Sequence, residues 1–258
     1  MTRIRSNKVI LITGATGAIG AALAREYAAP GISLILHGRN PARLGEVKSD
    51  CQAAGAKVTL ASFDLRDTEA LQHWVTRLCE QALPDLVIAN AGMNTHISDD
   101  GTSEDWQQVA ALLDLNIKAT MALVNPMAQR MRARGRGQIA LISSLAAYYG
   151  LPVMPSYSAS KAALKSYGEG LRGWLSPEGV RVNVVMPGYV DSSMCREMPG
   201  SKPFVWPAER AARYIRRGLE KNRARISFPF PLNFGCWWLS VLPASISQRI
   251  VNLLGYSG

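Results

Sequence analysis

Short apolar runs recur along the chain at Val9 to Thr13, Ser33 to His37, Val58 to Ser62, Leu86 to Ala89, Gln138 to Ile142 and Val180 to Met186. Longer segments of helical period separate them. Strands that alternate with helices in this way pair in parallel, with each helix crossing over a face of the sheet. The pattern therefore predicts an α/β fold, a doubly wound parallel β-sheet with helices on both faces, in a single domain. Nearly unbroken apolar strands such as Val9-Ile10-Leu11-Ile12 point to burial on both faces. No internal repeat or low-complexity tract competes with this reading.

Several turns in that frame carry chemistry. Thr13-Gly14-Ala15-Thr16-Gly17-Ala18-Ile19-Gly20 joins the first strand to a helical stretch. Strand, glycine turn and helix together make a dinucleotide site of Rossmann-like type, because glycines let the backbone approach a pyrophosphate whose charge sits at the helix N-terminus. The second strand ends in His37-Gly38-Arg39-Asn40. A carboxylate there would accept from the ribose hydroxyls of NAD, whereas Arg39 suits a 2′-phosphate, with Arg43 reinforcing it. NADP(H) is the expected cofactor and NAD(H) the second choice. Asp64, in Phe63-Asp64-Leu65, equally suits a cap for the helix starting near Thr68. Asn90-Ala91-Gly92 reads as a glycine turn after the fourth strand. Asn116 lies among apolar residues in the helical stretch Asp105 to Arg134 and must be hydrogen-bonded internally or mark a kink.

The densest chemistry lies between Ser143 and Lys161. Tyr157 and Lys161 are four apart, so on a helix opening near Pro155 they share one face. A phenol titrates near ~10, and a neighbouring cation favours its ionised form. Ser144 closes the preceding strand, where its hydroxyl could hold a carbonyl oxygen beside the phenol. The segment resembles the active-site signature of the short-chain dehydrogenase/reductase family, a Ser followed at a set offset by Tyr-x-x-x-Lys. Ser144 stands at that offset and Ser143 is the alternate. The resemblance implies that Tyr157 is the general acid/base, that Lys161 lowers its pKa and binds the nicotinamide ribose, that Ser144 orients the substrate oxygen, and that Asn116 holds a water linking Lys161 to solvent. It implies cofactor contacts at Gly14, Thr16, Gly17, Ile19, Gly20, Arg39, Asn40, Asp64, Leu65, Asn90, Ala91, Gly92, Pro187, Gly188, Val190 and Ser192, besides Tyr157 and Lys161. Pro187-Gly188-Tyr189-Val190-Asp191-Ser192 is similar to the turn that cradles the nicotinamide carboxamide, with Ser192 in place of the usual Thr.

The resemblance spans roughly residues 8 to 192. Chain length fits the classical type. The spacing of Gly14, Gly17 and Gly20, with Ala18 between, matches the sugar-nucleotide branch, and an epimerase or dehydratase holding NAD is the alternative enzyme reading. A non-catalytic NADP(H)-sensing module is the other alternative, but such a module normally loses one of the four catalytic positions, and all four are present. The expected activity is interconversion of a ketone or aldehyde with an alcohol, on an apolar or lipid-like small molecule, in a homo-oligomer.

Charge and cysteine usage narrow the setting. The four cysteines form no C-x-x-C pair and only three His are present, so neither a metal site nor a disulfide framework is expected. The start of the chain lacks a signal-peptide core, which makes a cytoplasmic location the expectation. A net charge of +10 asks for an anionic cofactor, membrane or nucleic acid, and no nucleic-acid module is recognisable. Residues 1–225 read as the oxidoreductase domain, with an irregular substrate lid near 193–207. Residues 226–258 read as an apolar extension of the same domain. No charged residue occurs from Ile226 to Gln248, a stretch rich in Phe and Trp but broken by Pro229, Pro231 and Pro243. It suits packing at the sheet edge or a subunit contact, and also peripheral attachment at the inner face of a membrane. Tyr148 and Tyr149 suit an apolar substrate wall.

Overall fold

The computed structural model describes residues 8–98, 103–198 and 201–256. Among these residues seven strands form: β1 Lys8–Ile12, β2 Ile32–Gly38, β3 Lys57–Ser62, β4 Leu86–Ala89, β5 Gly137–Ile142, β6 Val180–Pro187 and β7 Arg225–Phe228. All pair in parallel in the order β3-β2-β1-β4-β5-β6-β7. The first six are the apolar runs of the sequence. β7 is not evident in the sequence because it is a short edge strand whose residues alternate between exposed and buried. The boundary drawn between 225 and 226 falls inside it, so the tail begins as part of the sheet.

The helices are α1 Ala18–Tyr27, α2 Pro41–Ala53, α3 Thr68–Gln81, α4 Trp106–Leu113, α5 Thr120–Arg134, α6 Pro155–Leu175, α7 Ser193–Glu197, α8 Ala208–Glu220, α9 Leu232–Val241 and α10 Ala244–Val251. Apolar residues of α1, α2 and α8 pack on one face of the sheet, and those of α3, α5 and α6 on the other. The central strands therefore have no wet side: Ile10, Leu11, Ile12, Leu86, Val87 and Ile88 are fully buried. Each such side chain contributes about 1.5–3 kcal/mol relative to exposure.

Three local details differ from the sequence reading. The stretch Asp105 to Arg134 is not one helix, because a π-helical turn, Asp114–Ala119, separates α4 from α5 around Asn116. Asp64 does not cap α3; Asp67 does, accepting from the Ala70 amide at 3.0 Å. The lid segment contains the helical turn α7, capped by Ser192, which accepts from the Cys195 amide at 3.0 Å. Residues 199 and 200 of the expected lid lie outside the described residues.

The placement of α6 decides the site. Its buried residues Tyr157, Lys161, Leu164, Gly168, Leu171 and Leu175 form one stripe of helical period. Gly168 lets the helix lie close to the sheet, since a Cβ there would stand 2.6 Å from Val184 Cγ2 and 2.9 Å from Leu141 Cδ1. Glu104 accepts from the Ser156 amide at 3.2 Å and from its hydroxyl at 2.5 Å, which ties down the first turn of α6.

Candidate active site

Strand order reverses between β1 and β4, and the turns leaving those two strands open a crevice at the carboxyl end of the sheet. They are locked together. Thr13 Oγ1 accepts from the Asn90 and Ala91 amides at 3.0 and 3.1 Å, and Asn90 Nδ2 donates to the Thr13 and Gly14 carbonyls at 2.9 and 3.1 Å. Gly14 adopts φ +65°, and a Cβ on it would stand 2.8 Å from Ala91 Cα. At Gly20 a Cβ would strike the Gly14 carbonyl oxygen and approach Asn90 Nδ2 to 2.8 Å. Gly17 caps α1 without a side-chain acceptor, and no acid occupies the first turn. The leading amides of α1 therefore suit an anion in the crevice, as a dinucleotide pyrophosphate requires.

At the outer end of the crevice, Arg66 grips Asp64 through contacts of 3.1 and 2.6 Å. That hydrogen bonding holds the Asp64 carboxyl down to about 2. Arg39 stands 3.8 Å from the same carboxylate with its side chain 65% exposed, loosely engaged and facing the cavity mouth. Asn40 does not line the cavity; its side chain caps α2 by accepting from the Arg43 amide at 3.1 Å. Arg43 itself does line it. His37 borders the same end with Nε2 against the Phe63 carbonyl at 3.0 Å. Its Nδ1 is buried without a partner, and burial pushes its pKa down to about 4, so the ring is neutral.

At the inner end, Tyr157 is 7% exposed and Lys161 5%. Lys161 Nζ lies 5.7 Å from the centroid of the Tyr157 ring and donates to the Ile142 carbonyl at 3.1 Å. Ser143, the alternate serine, also borders the cavity, and its Oγ donates to the Lys161 carbonyl at 2.7 Å, tying the strand end to the helix. Ser144 faces the cavity beside the Tyr157 phenol, and its hydroxyl accepts from the Ala146 amide at 3.2 Å. Burial pushes the Tyr157 phenol above its ordinary value, with Ser144 pulling it partly back. Burial likewise pushes Lys161 down to about 8. The expected lowering of the phenol by the ammonium is therefore not what the chain shows by itself: both groups are buried, and the loss of hydration moves each away from its charged form.

Asn116 stands behind this layer, fully buried and outside the cavity lining. It accepts from the Met93 amide at 2.9 Å and donates to the Met93 carbonyl at 2.9 Å and to Ser160 Oγ at 3.0 Å. Ser160 in turn donates to the Tyr157 carbonyl at 2.8 Å. Both N–H groups of the amide are thus committed to protein partners, and Asn116 ties the turn after β4 to the helix carrying Tyr157. Gly92 keeps Asn116 and Lys161 close, since a Cβ there would meet Asn116 Oδ1 at 3.1 Å and Lys161 Nζ at 3.3 Å.

The crevice and the space above Tyr157 form one cavity of about 660 Å³. Gly14, Thr16, Gly17, Ile19, Arg39, Asp64, Leu65, Asn90, Ala91, Gly92, Pro187, Gly188, Val190 and Ser192 line it, together with Ser144, Tyr157 and Lys161. Gly20 acts through packing instead. Ser192 is occupied within its own turn, where it donates to the Val190 carbonyl at 3.1 Å. Of the two adjacent tyrosines, Tyr149 reaches the cavity, whereas Tyr148 packs beside it against Leu145 and Met186. Sequence reasoning missed the roof: Leu232, Cys236, Trp238 and Leu239 from α9, and Ile250, Val251 and Leu254 beyond it. Its signal was the charge-free run from Ile226 to Gln248, read without knowing which way it folds back. His37, Met93, Cys195 and Met198 were missed too, since nothing local marks them.

Comparison with known proteins accords with this geometry. The sequence profile of the family described as short chain dehydrogenase matches residues 8–202. An uncharacterized oxidoreductase of Myxococcus xanthus is 32% identical over 92% of this chain and 94% of its own. A short-chain dehydrogenase from Sphingobium yanoikuyae in complex with NADPH superposes with a TM-score of 0.81 at 25% identity, covering 95% of each chain. A short chain dehydrogenase from Mycobacterium paratuberculosis bound to NAD gives 0.76 at 26% identity, over 89% of this chain and 98% of that one. With the seven-stranded parallel sheet and the crevice between β1 and β4, these matches establish that the chain belongs to the classical short-chain dehydrogenase/reductase family of NAD(P)-binding oxidoreductases.

Proposed function

We propose that the protein interconverts an apolar ketone or aldehyde and the corresponding alcohol with NADP(H), Tyr157 moving the proton. The observation that carries this is that the buried Tyr157 phenol, the Ser144 hydroxyl and the Lys161 ammonium line the same inner end of a cavity that runs out to Arg39. A bound nicotinamide supplies or accepts the hydride. In the reducing direction Ser144 and Tyr157 hold the substrate oxygen, and the phenol gives it a proton. The raised phenol keeps its proton at neutral pH, which suits a donor. Lys161 supplies positive charge that offsets the phenolate left behind. The loosely held guanidinium of Arg39, with Arg43 behind it and Asp64 neutralised by Arg66, supports a 2′-phosphate and so favours NADP(H) over NAD(H). Apolar walls from Met93, Leu151, Met198 and the α9 roof support an apolar substrate.

Tyr157→Phe is expected to lower turnover by about a thousandfold or more while NADPH still binds, as fluorescence titration would show. Retained turnover would remove Tyr157 from proton transfer. Arg39→Asp is expected to reverse the ranking of NADPH and NADH, each by roughly tenfold or more in Kd; an unchanged ranking would place the phosphate elsewhere.

A further inference from the structure

We propose that the outer side of α9 and its neighbours is a docking face for the surface of an anionic lipid bilayer, and that the substrate cavity is filled from that side. The second part rests on the apolar carbonyl substrate proposed above. α9 is apolar on both sides. Leu232, Cys236 and Leu239 close the cavity, while Phe234, Trp237 and Val241 are turned outward, 55%, 37% and 53% exposed. A helix with water beyond its outer side carries polar residues there. Here Ser240 is the exception, and the chain from Ile226 to Gln248 holds no charge at all.

The outward rings are already assembled. Phe234 stacks near Trp238 at 6.2 Å and lies 5.8 Å from Trp237, and the two indoles are 5.7 Å apart. Phe230, 78% exposed, precedes them. Clustered Trp and Phe suit the depth of lipid headgroups, where an apolar ring and a polar edge are both accommodated. Exposed cations lie on α8 and α10. Arg210 lies 4.0 Å over the Trp206 ring, and Trp206 stacks at 5.0 Å on Phe228, the residue that leads into Pro229 and Phe230. Arg213 on the same helix and Arg249 on α10 are exposed.

This charge selects the occupant. Two copies of the chain meeting through the patch would bring together two molecules of net charge +10, whereas an anionic surface complements that charge. The protein would lie on the bilayer and not cross it: α9 has ten residues, about 15 Å of helix, and among the described residues no helix is long and apolar enough to span. Because the inner side of α9 is cavity wall, an apolar molecule dissolved in the headgroup layer would meet the roof of the site first.

Cosedimentation of the full chain with vesicles of phosphatidylcholine, with and without phosphatidylglycerol, tests this. Binding is expected to the anionic vesicles and to weaken as salt is raised. The double variant Phe234→Ser, Trp237→Ser replaces no cavity-lining residue. It is expected to bind anionic vesicles about tenfold more weakly or worse, with turnover of a small water-soluble ketone unchanged. Arg210→Glu is expected to reduce binding to anionic vesicles only. Delivery is read from an apolar ketone dissolved in the vesicles, which wild type should reduce faster than the double variant. No binding by wild type, equal binding by the double variant, or a dimer in size-exclusion chromatography that the double variant abolishes would overturn the proposal. If no ketone is turned over while vesicle binding behaves as expected, docking stands and the catalytic reading falls.

Discussion

The two ends of the cavity are built on opposite plans. The nucleotide end is made of main chain and very small residues, with Gly14 and Gly20 fitted against neighbours so closely that a single methyl has no room, and Gly92 nearly as tight. The roof is made of large side chains on α9, a helix in which no residue is fully buried. Recognising a pyrophosphate requires backbone amides at short range, so the walls that present them are packed tightly on the sheet. Recognising an apolar body requires only apolar area, which many arrangements of Leu, Trp and Cys supply. The tight end should be intolerant of substitution and the roof adaptable.

The largest break in that comparison should come from Gly20→Val, whose branched side chain has to displace the Gly14 carbonyl or the Asn90 amide. The displacement is expected to cost about 2–3 kcal/mol, and NADPH binding measured by fluorescence should weaken by roughly a hundredfold or be lost. Unchanged binding would mean that the crevice does not hold the nucleotide. Between the two ends stands Lys161, whose folded pKa, about 8, lies below the ordinary 10.5. A base lowered in the fold is protonated there at a cost, so its destabilising effect is full below pH 8 and fades as the pH rises toward 10.5. Lys161→Met should therefore stabilise the protein at pH 7, on the order of 1 kcal/mol, while turnover collapses. A lower Tm at pH 7, or a stability profile still rising between pH 8 and 10.5 as in wild type, would contradict that account. The smallest effect is expected at the roof: Trp238→Ala should raise KM for a bulky apolar ketone by about tenfold and leave a small ketone nearly unaffected. Equal effects on both substrates would show that the roof acts through folding and not through contact.

How far each part could be read in advance follows the range of the interactions that make it. The first six strands, the glycine turn before α1 and the shared face of Tyr157 and Lys161 depend on residues a few positions apart, so periodicity and spacing expose them. β7 escaped because four residues at a sheet edge carry too little pattern. Of the two roles open to Asp64, the cap goes to Asp67, three residues on, and only the packed turn shows Arg66 gripping Asp64.

By itself the sequence determined the doubly wound frame, the crevice at its switch point and the chemistry of the pair on α6, since each follows from local backbone preference and the burial of apolar faces. Tertiary structure decided what those groups meet. Asn116 finds Ser160 across 44 residues, Tyr149 reaches Gln248 across 99, and the charge-free tail folds back to roof the cavity. Such partners are chosen by how layers stack around the core, and no short window of residues contains that information. The pKa values of Tyr157 and Lys161 belong to the same class, because they are set by how much water the assembled walls exclude and not by the spacing of the two side chains.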